Sequence, residues 1–172
     1  MKKKVWIFNH YATDTMLDHG GRHYWFAKYL TRAGYDVRIF CASTVHDTDI
    51  NFDVGEDGYC DKEVDGLKYT LIETSDYVGN GKSRVKNMYQ FYRRIFHVVR
   101  NYEKPDVIFA SSVHPLTLLA GIKIAKKLGV KCICEVRDLW PESLVEYDII
   151  SRNHIVTKLM YKGERRLYKK AD

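Results

Sequence analysis

The residues of this sequence that could do chemistry fall in four short stretches. Arg137 and Asp138 follow directly on the run 130–136, and Trp140, Pro141 and Glu142 come next. Pro141 suits the first turn of a helix, where its missing N–H would have been unpaired in any case. Glu142 suits the same turn, because negative charge is favoured at a helix N-terminus. The other three stretches are Asn9-His10, Gly20-Gly21-Arg22, and Ser111-Ser112 with His114. Glycines ahead of a helix let backbone approach a ligand, and the helix N–H groups attract anions. Arg22 could add a paired hydrogen bond to phosphate. Together these residue types suggest loops built for recognition. The plainer alternatives are turn glycines, a solvated Arg22, a loop histidine beside Pro115, and Arg137 and Asp138 paired for structure alone.

Loops of that kind need a scaffold, and apolar periodicity supplies one. The runs 4–8, 37–41, 67–72, 106–110 and 130–136 read as strands. Phe26, Tyr29, Leu30 and Ala33 recur at helical spacing before Gly34. Val85, Met88, Tyr92, Ile95, Phe96, Val99 and Tyr102 mark a second helix, and 116–128 a third, stopped by Gly129. A last helix over 155–170 carries Val156, Leu159, Met160, Gly163 and Leu167 on one side. Residues between Asn9 and Gly20 read as a polar loop, and 43–66 as a long, acidic, partly mobile one. Strands alternating with helices predict an α/β fold with a doubly wound parallel sheet, Rossmann-like, whose ligands bind at the strands' carboxyl ends. The last helix reads as a crossover to a further parallel strand outside this chain. That leaves 131–136 as an edge, to be paired with another chain or covered by the last helix.

At 172 residues and 45% hydrophobic, the chain is one ordinary domain rather than a disordered segment. No apolar run approaches the roughly 20 residues of a membrane-spanning helix, and Met1-Lys2-Lys3-Lys4 reads as the approach to a strand rather than a signal peptide. Cys41, Cys60, Cys132 and Cys134 have neither disulfide nor metal-site spacing and read as free thiols. Gly79-Asn80-Gly81-Lys82-Ser83 imitates a phosphate-binding P-loop, but the position of the motif's first glycine holds Asp76, whose carboxylate would oppose phosphate. The net charge of +6 is unevenly spread. Residues 82–104 hold seven Lys/Arg against one acid, 151–172 seven against two, and 43–79 ten acids against two lysines. Basic stripes beside an acidic loop argue for an anionic surface rather than nucleic acid as partner. Lys86, Arg93, His97 and Arg100 share one helix face, either solvated or turned to an anionic membrane.

The stretch from Glu135 to Ser143, with Asn9-His10-Tyr11 and Gly20-Gly21 in order before it, resembles glycosyltransferase family 4, close to the fucosaminyltransferase-like branch of bacterial O-antigen and capsule synthesis. The resemblance covers essentially all 172 residues and implies the amino-terminal, acceptor-binding half of a GT-B fold. It further implies a retaining enzyme of cell-surface polysaccharide synthesis, which moves a hexosyl or N-acetylhexosaminyl group from a nucleotide-sugar to a lipid-linked or polysaccharide acceptor. In such an enzyme a carboxy-terminal domain outside this chain holds the donor, so the chain alone is expected to be inactive. No metal and no other cofactor is expected. The resemblance casts His114 and Asp138 as catalytic, with Asn9, His10, Gly20, Gly21, Arg22, Ser111, Ser112, Arg137 and Glu142 binding substrate. It implies a cytoplasmic protein, peripheral on the inner face of the plasma membrane. The alternative from the residues alone is a non-catalytic Rossmann-type binding module.

Overall fold

The computed structural model describes residues 2–171. Its strands are β1 (Lys4–Phe8), β2 (Asp36–Ala42), β3 (Tyr59–Val64), β4 (Leu67–Ile72), β5 (Val107–Ser112) and β6 (Lys131–Val136). They form one sheet in the order β3-β4-β2-β1-β5-β6, parallel throughout except for the antiparallel β3–β4 pair. The helices are α1 (Ala12–Leu17), α2 (Gly21–Arg32), α3 (Lys82–Val98), α4 (Pro115–Leu128), α5 (Glu142–Glu146) and α6 (Ile155–Tyr168).

The strands alternate sides, and each side has its own core. Trp6 and Phe8, with Phe40, Ile108 and Ala110, pack against Phe91 and Ile95 of α3 and Leu118 and Ile122 of α4. Val5 and Ile7, with Ile39, Cys41, Tyr69 and Leu71, pack against Ala12 and Met16 of α1 and Tyr24 and Ala27 of α2. Burial on both faces is why these strands appear in the sequence as continuous apolar runs rather than alternating ones. Each fully buried side chain of this size contributes about 1.5–3 kcal/mol relative to exposure. The α4 side is packed especially closely: a Cβ on Gly121 would lie 2.6 Å from the Cβ of Ala110.

From β1 the chain builds outward through β2 to β4, then returns to add β5 on the other side of β1. The strand order therefore reverses between β1 and β5, the place where an open α/β sheet leaves a crevice at its carboxyl end.

The structure corrects several expectations. The acidic stretch read as a loop over 43–66 contains β3, which forms an edge hairpin with β4. The supposed polar loop after β1 contains α1, which buries Ala12, Thr13 and Met16. On α2 the buried residues are His23, Tyr24 and Ala27, while Phe26 and Tyr29 of the expected stripe are exposed. Helix α3 buries Asn87, Met88, Phe91, Ile95 and Val98, while Val85 faces solvent. On α6 Val156 and Leu159 are exposed, and Thr157 and Leu167 are the buried residues. The physical reason is shared. Periodicity identifies a helix with an apolar face, but the sheet decides which face is covered when several turns carry aromatic residues all round. β6 lies at the sheet edge, as the sequence suggests, and α6 packs against α4.

Candidate functional site

The alternation that builds the two cores continues past the end of β1. Asn9 is in step with Val5 and Ile7 and turns toward α2, whereas His10 is in step with Trp6 and Phe8 and turns toward α3 and α4. Both side chains are buried. Two polar clusters result, one on each side of the sheet at the carboxyl end of β1.

On the α3/α4 side, His10 Nε2 lies 2.6 Å from Asn87 Oδ1, and His114 Nε2 lies 3.0 Å from His10 Nδ1. Asn87 sits within the buried face of α3, and its Nδ2 donates to the Ser75 carbonyl at 2.7 Å and to Thr44 Oγ1 at 3.1 Å. His114 immediately precedes Pro115, the first residue of α4, and is buried. Its Nδ1 has no hydrogen-bond partner. Tyr11 closes the cluster: its ring stacks on His46 at 4.4 Å, and its hydroxyl accepts from Arg84 Nε at 2.9 Å. Burial drives the His10 pKa well below the ordinary value, helped by His114 beside it. Burial, with the charge of Arg84, brings His114 down to about 3. Both rings are therefore neutral at physiological pH.

On the α2 side the hub is Glu135, near the end of β6. Its carboxylate accepts from Arg22 Nε at 2.5 Å and from Ser111 Oγ at 2.6 Å, and its Oε2 lies 3.5 Å from His23 Nε2. Asn9 Oδ1 accepts the Tyr11 amide at 2.9 Å, so the Asn9 Nδ2 faces the His23 ring, 2.8 Å from its Nδ1 and 3.1 Å from its Nε2. Burial lowers the His23 pKa to about 4 against the opposing pull of Glu135. For Glu135 burial works upward, but the hydrogen bonds from Ser111 and Arg22 outweigh it and hold the carboxyl below its ordinary value. The cluster thus holds a neutral imidazole beside an ionised carboxylate. The glycine pair sets it in place. Gly20 precedes α2 in extended backbone, and Gly21 has φ +79°, where a Cβ would lie 2.9 Å from Thr15 Cγ2. That turn presents Arg22 and His23 to the carboxyl end of β6.

The structure thus brings Asn9, Gly20, Gly21, Arg22 and Ser111 to one cluster and His10 and His114 to the other, on opposite sides of the sheet at the carboxyl end of β1. Ser112 joins them by accepting the Arg137 amide at 3.2 Å. Arg137 and Asp138 are exposed, and no ion pair joins them to each other among the described residues. Asp138 borders a narrow cleft with Ser112, Val136 and Trp140, while the Trp140 indole donates to the Val113 carbonyl at 3.1 Å. Glu142 is tied to the end of the chain by Arg152 and Tyr161. Lys86, Arg93, His97 and Arg100 are all exposed on the side of α3 away from the sheet. Among the described residues no group of three or more His, Cys, Asp or Glu side chains is arranged to hold a metal ion. No described helix is long and apolar enough to cross a membrane.

Sequence reasoning missed His23, Glu135 and Asn87 as site residues. For Asn87 there was a usable signal: an amide among the buried positions of an amphipathic helix must find partners, because an unpaired buried amide costs a few kcal/mol. His23 likewise sits one turn ahead of the buried Ala27.

Residues 21–172 match the family model described as a glycosyl transferase 4-like domain. No curated protein matches the chain.

Proposed function

This chain belongs to the glycosyl transferase 4-like family, and on that premise we propose that it forms the acceptor-binding half of a retaining glycosyltransferase. The donor is a nucleotide-sugar held mainly by a second domain outside residues 1–172, and the acceptor is a lipid-linked or polysaccharide saccharide of a bacterial cell-surface pathway. The group moved is a hexose or N-acetylhexosamine, as the resemblance to the fucosaminyltransferase-like branch suggests. The observation that carries this reading is the pair of polar clusters that Asn9 and His10 build on the two sides of the sheet at the carboxyl end of β1, where an open α/β sheet binds its ligands.

Each cluster has a role suited to its chemistry. His114 holds a buried ring nitrogen without a partner, which we assign to a hydroxyl of the reacting sugar. At the other side Arg22 is held by Glu135 through Nε alone, and its side chain remains over half exposed. That leaves a guanidinium edge, with the N-terminus of α2 behind it, to offset negative charge on a leaving diphosphate. Asp138 and Arg137, exposed just past the end of β6, are assigned as substrate contacts, with Asp138 in a catalytic role. Helix α3 turns Lys86, Arg93, His97 and Arg100 outward, where they would meet an anionic membrane carrying the acceptor lipid. On this reading the enzyme works at the cytoplasmic face of the plasma membrane.

Turnover in the complete enzyme tests the reading. His114→Ala and Asp138→Asn should each lower turnover by at least about tenfold, or 1.4 kcal/mol of barrier, with the fold intact by circular dichroism. A smaller loss would return that residue to a structural role. The purified 172-residue chain should leave nucleotide-sugars unconsumed, and steady release of nucleoside diphosphate by it would refute the division of labour.

A further inference from the structure

Asn87 lies on α3 and touches residues just past the ends of β1, β2 and β4 but not His114 itself, yet the position of a proton on His114 can be traced back to it. The Ser75 carbonyl can only accept a hydrogen bond, so the Asn87 group 2.7 Å from it must be the NH2. The same NH2 reaches Thr44 Oγ1 at 3.1 Å. The amide orientation is thereby fixed, with Oδ1 turned toward His10. A carbonyl oxygen 2.6 Å from His10 Nε2 requires the proton on that nitrogen. His10 is wholly buried beside Phe91 and Tyr11 and within reach of the Arg84 charge. A neutral His10 with its proton on Nε2 offers only a lone pair at Nδ1. The His114 Nε2 that lies 3.0 Å from that lone pair must then carry a proton of its own. His114, also buried and neutral, is left with a bare lone pair at Nδ1, the ring atom without a partner.

We infer that Asn87 is a positioning residue for His114: acting through His10, it fixes the His114 proton on Nε2 and leaves Nδ1 a hydrogen-bond acceptor for the ligand. The ligand class follows from that polarity. An Nδ1 acceptor receives an O–H or N–H, such as a sugar hydroxyl, and repels the oxygens of phosphate or carboxylate. The specificity is therefore set two residues away, by an amide whose own orientation is held by Thr44 and Ser75. The hydroxyl as ligand rests on the glycosyltransferase reading; the proton positions do not.

The test is a long-range 1H–15N correlation spectrum of the 15N-labelled 172-residue chain at neutral pH, in which protonated and bare ring nitrogens resonate far apart. His10 and His114 should each show one neutral form, with the proton on Nε2 and Nδ1 bare. Asn87→Asp puts a carboxylate at His10 Nε2, which favours a doubly protonated His10. His10 Nδ1–H then faces His114 Nε2, so the His114 proton should move to Nδ1. Asn87→Ala, which removes the acceptor without adding charge, should leave both rings exchanging between forms. It covers the case in which the aspartate variant does not fold. A His114 proton on Nδ1 in the wild type would overturn the inference, as would a His114 signal unchanged in a folded variant. Methyl α-glucoside should shift the His114 Nδ1 resonance and sulfate, which has no O–H to donate at this pH, should not; a shift with sulfate alone, or with neither, would overturn the ligand assignment. Bare Nδ1 in a chain whose complete parent transfers no sugar would sink the transferase reading and leave the relay intact.

Discussion

Asn9 and His10 are neighbours in the chain but belong to opposite sides of the sheet. Asn9 Nδ2 lies 2.8 Å from His23 on α2, and His10 Nε2 lies 2.6 Å from Asn87 on α3. One strand end therefore organises two buried polar clusters, one built around a carboxylate and the other around neutral imidazoles. Each cluster joins elements that are far apart in sequence, so losses at either should register in stability as well as in ligand binding.

Glu135→Ala should destabilise the fold by about 1–3 kcal/mol, because Ser111 and His23 lose their partner in a buried setting. The Arg22 contact adds little to this, since an exposed ion pair is worth about 1 kcal/mol or less. Glu135→Gln keeps the shape and an acceptor oxygen and should cost less than the alanine change. Urea unfolding measures both; equal losses would show that charge, not hydrogen bonding, is what Glu135 supplies.

The histidines make stability depend on pH in a definite direction. His23 at about 4 and His114 at about 3 both lie below the ordinary 6.5, and His10 is lowered as well. Below pH 6.5 the unfolded chain takes up protons that the native state refuses, so unfolding becomes easier as pH falls toward 4. Each group contributes up to about 1.4 kcal/mol per pH unit within that window, and nothing above it. Toward pH 6.5, well above the ordinary 4.5 of a glutamate, the histidines dominate the slope, while Asp14, raised by burial, works against them at the acid end. Denaturant midpoints that stay flat at that upper end would contradict neutral, buried rings. Replacing His114 by leucine should make the slope shallower, whatever it does to stability at pH 7.

Gly121→Ala should cost about 1–3 kcal/mol. The added methyl would lie 2.6 Å from Ala110 Cβ and 3.1 Å from Cys132 Sγ, so α4 must move off β5 to admit it. Gly163→Ala on α6, where a Cβ meets nothing within 4 Å, should instead be neutral or stabilising, as alanine has the better helix propensity. Thermal melts of the pair compare crowding with propensity, and a similar loss in both would show that Gly121 is not crowded.

The exposed basic face of α3 should bring the chain to anionic vesicles, with each Lys or Arg near the surface contributing about 1 kcal/mol. Sedimentation with phosphatidylserine vesicles should fall steeply with added salt. Reversing Lys86, Arg93 and Arg100 to glutamate should abolish it. Equal sedimentation with neutral vesicles would show that this face is simply solvated.

The sequence by itself determined the class of fold and the ends of most strands. Apolar runs such as 4–8 and 37–41 can be buried on both faces only in a covered parallel sheet, and they stop where polar side chains begin. It also determined which residues share a side, since strand geometry sends Asn9 and His10 apart whatever surrounds them. What tertiary structure decided is which partners they meet. Arg22 and Glu135 are separated by 113 positions, and His10 and Asn87 by 77. No local pattern couples residues at such distances. β3 escaped notice because Tyr59–Val64 is an edge strand with three exposed polar residues at its centre, and its pairing with β4, not its own composition, makes it a strand. The buried face of α2 was undecided for a related reason. Its aromatic residues lie all round the helix, and only contact with the sheet puts His23 and Tyr24 inside while Phe26 and Tyr29 stay in water.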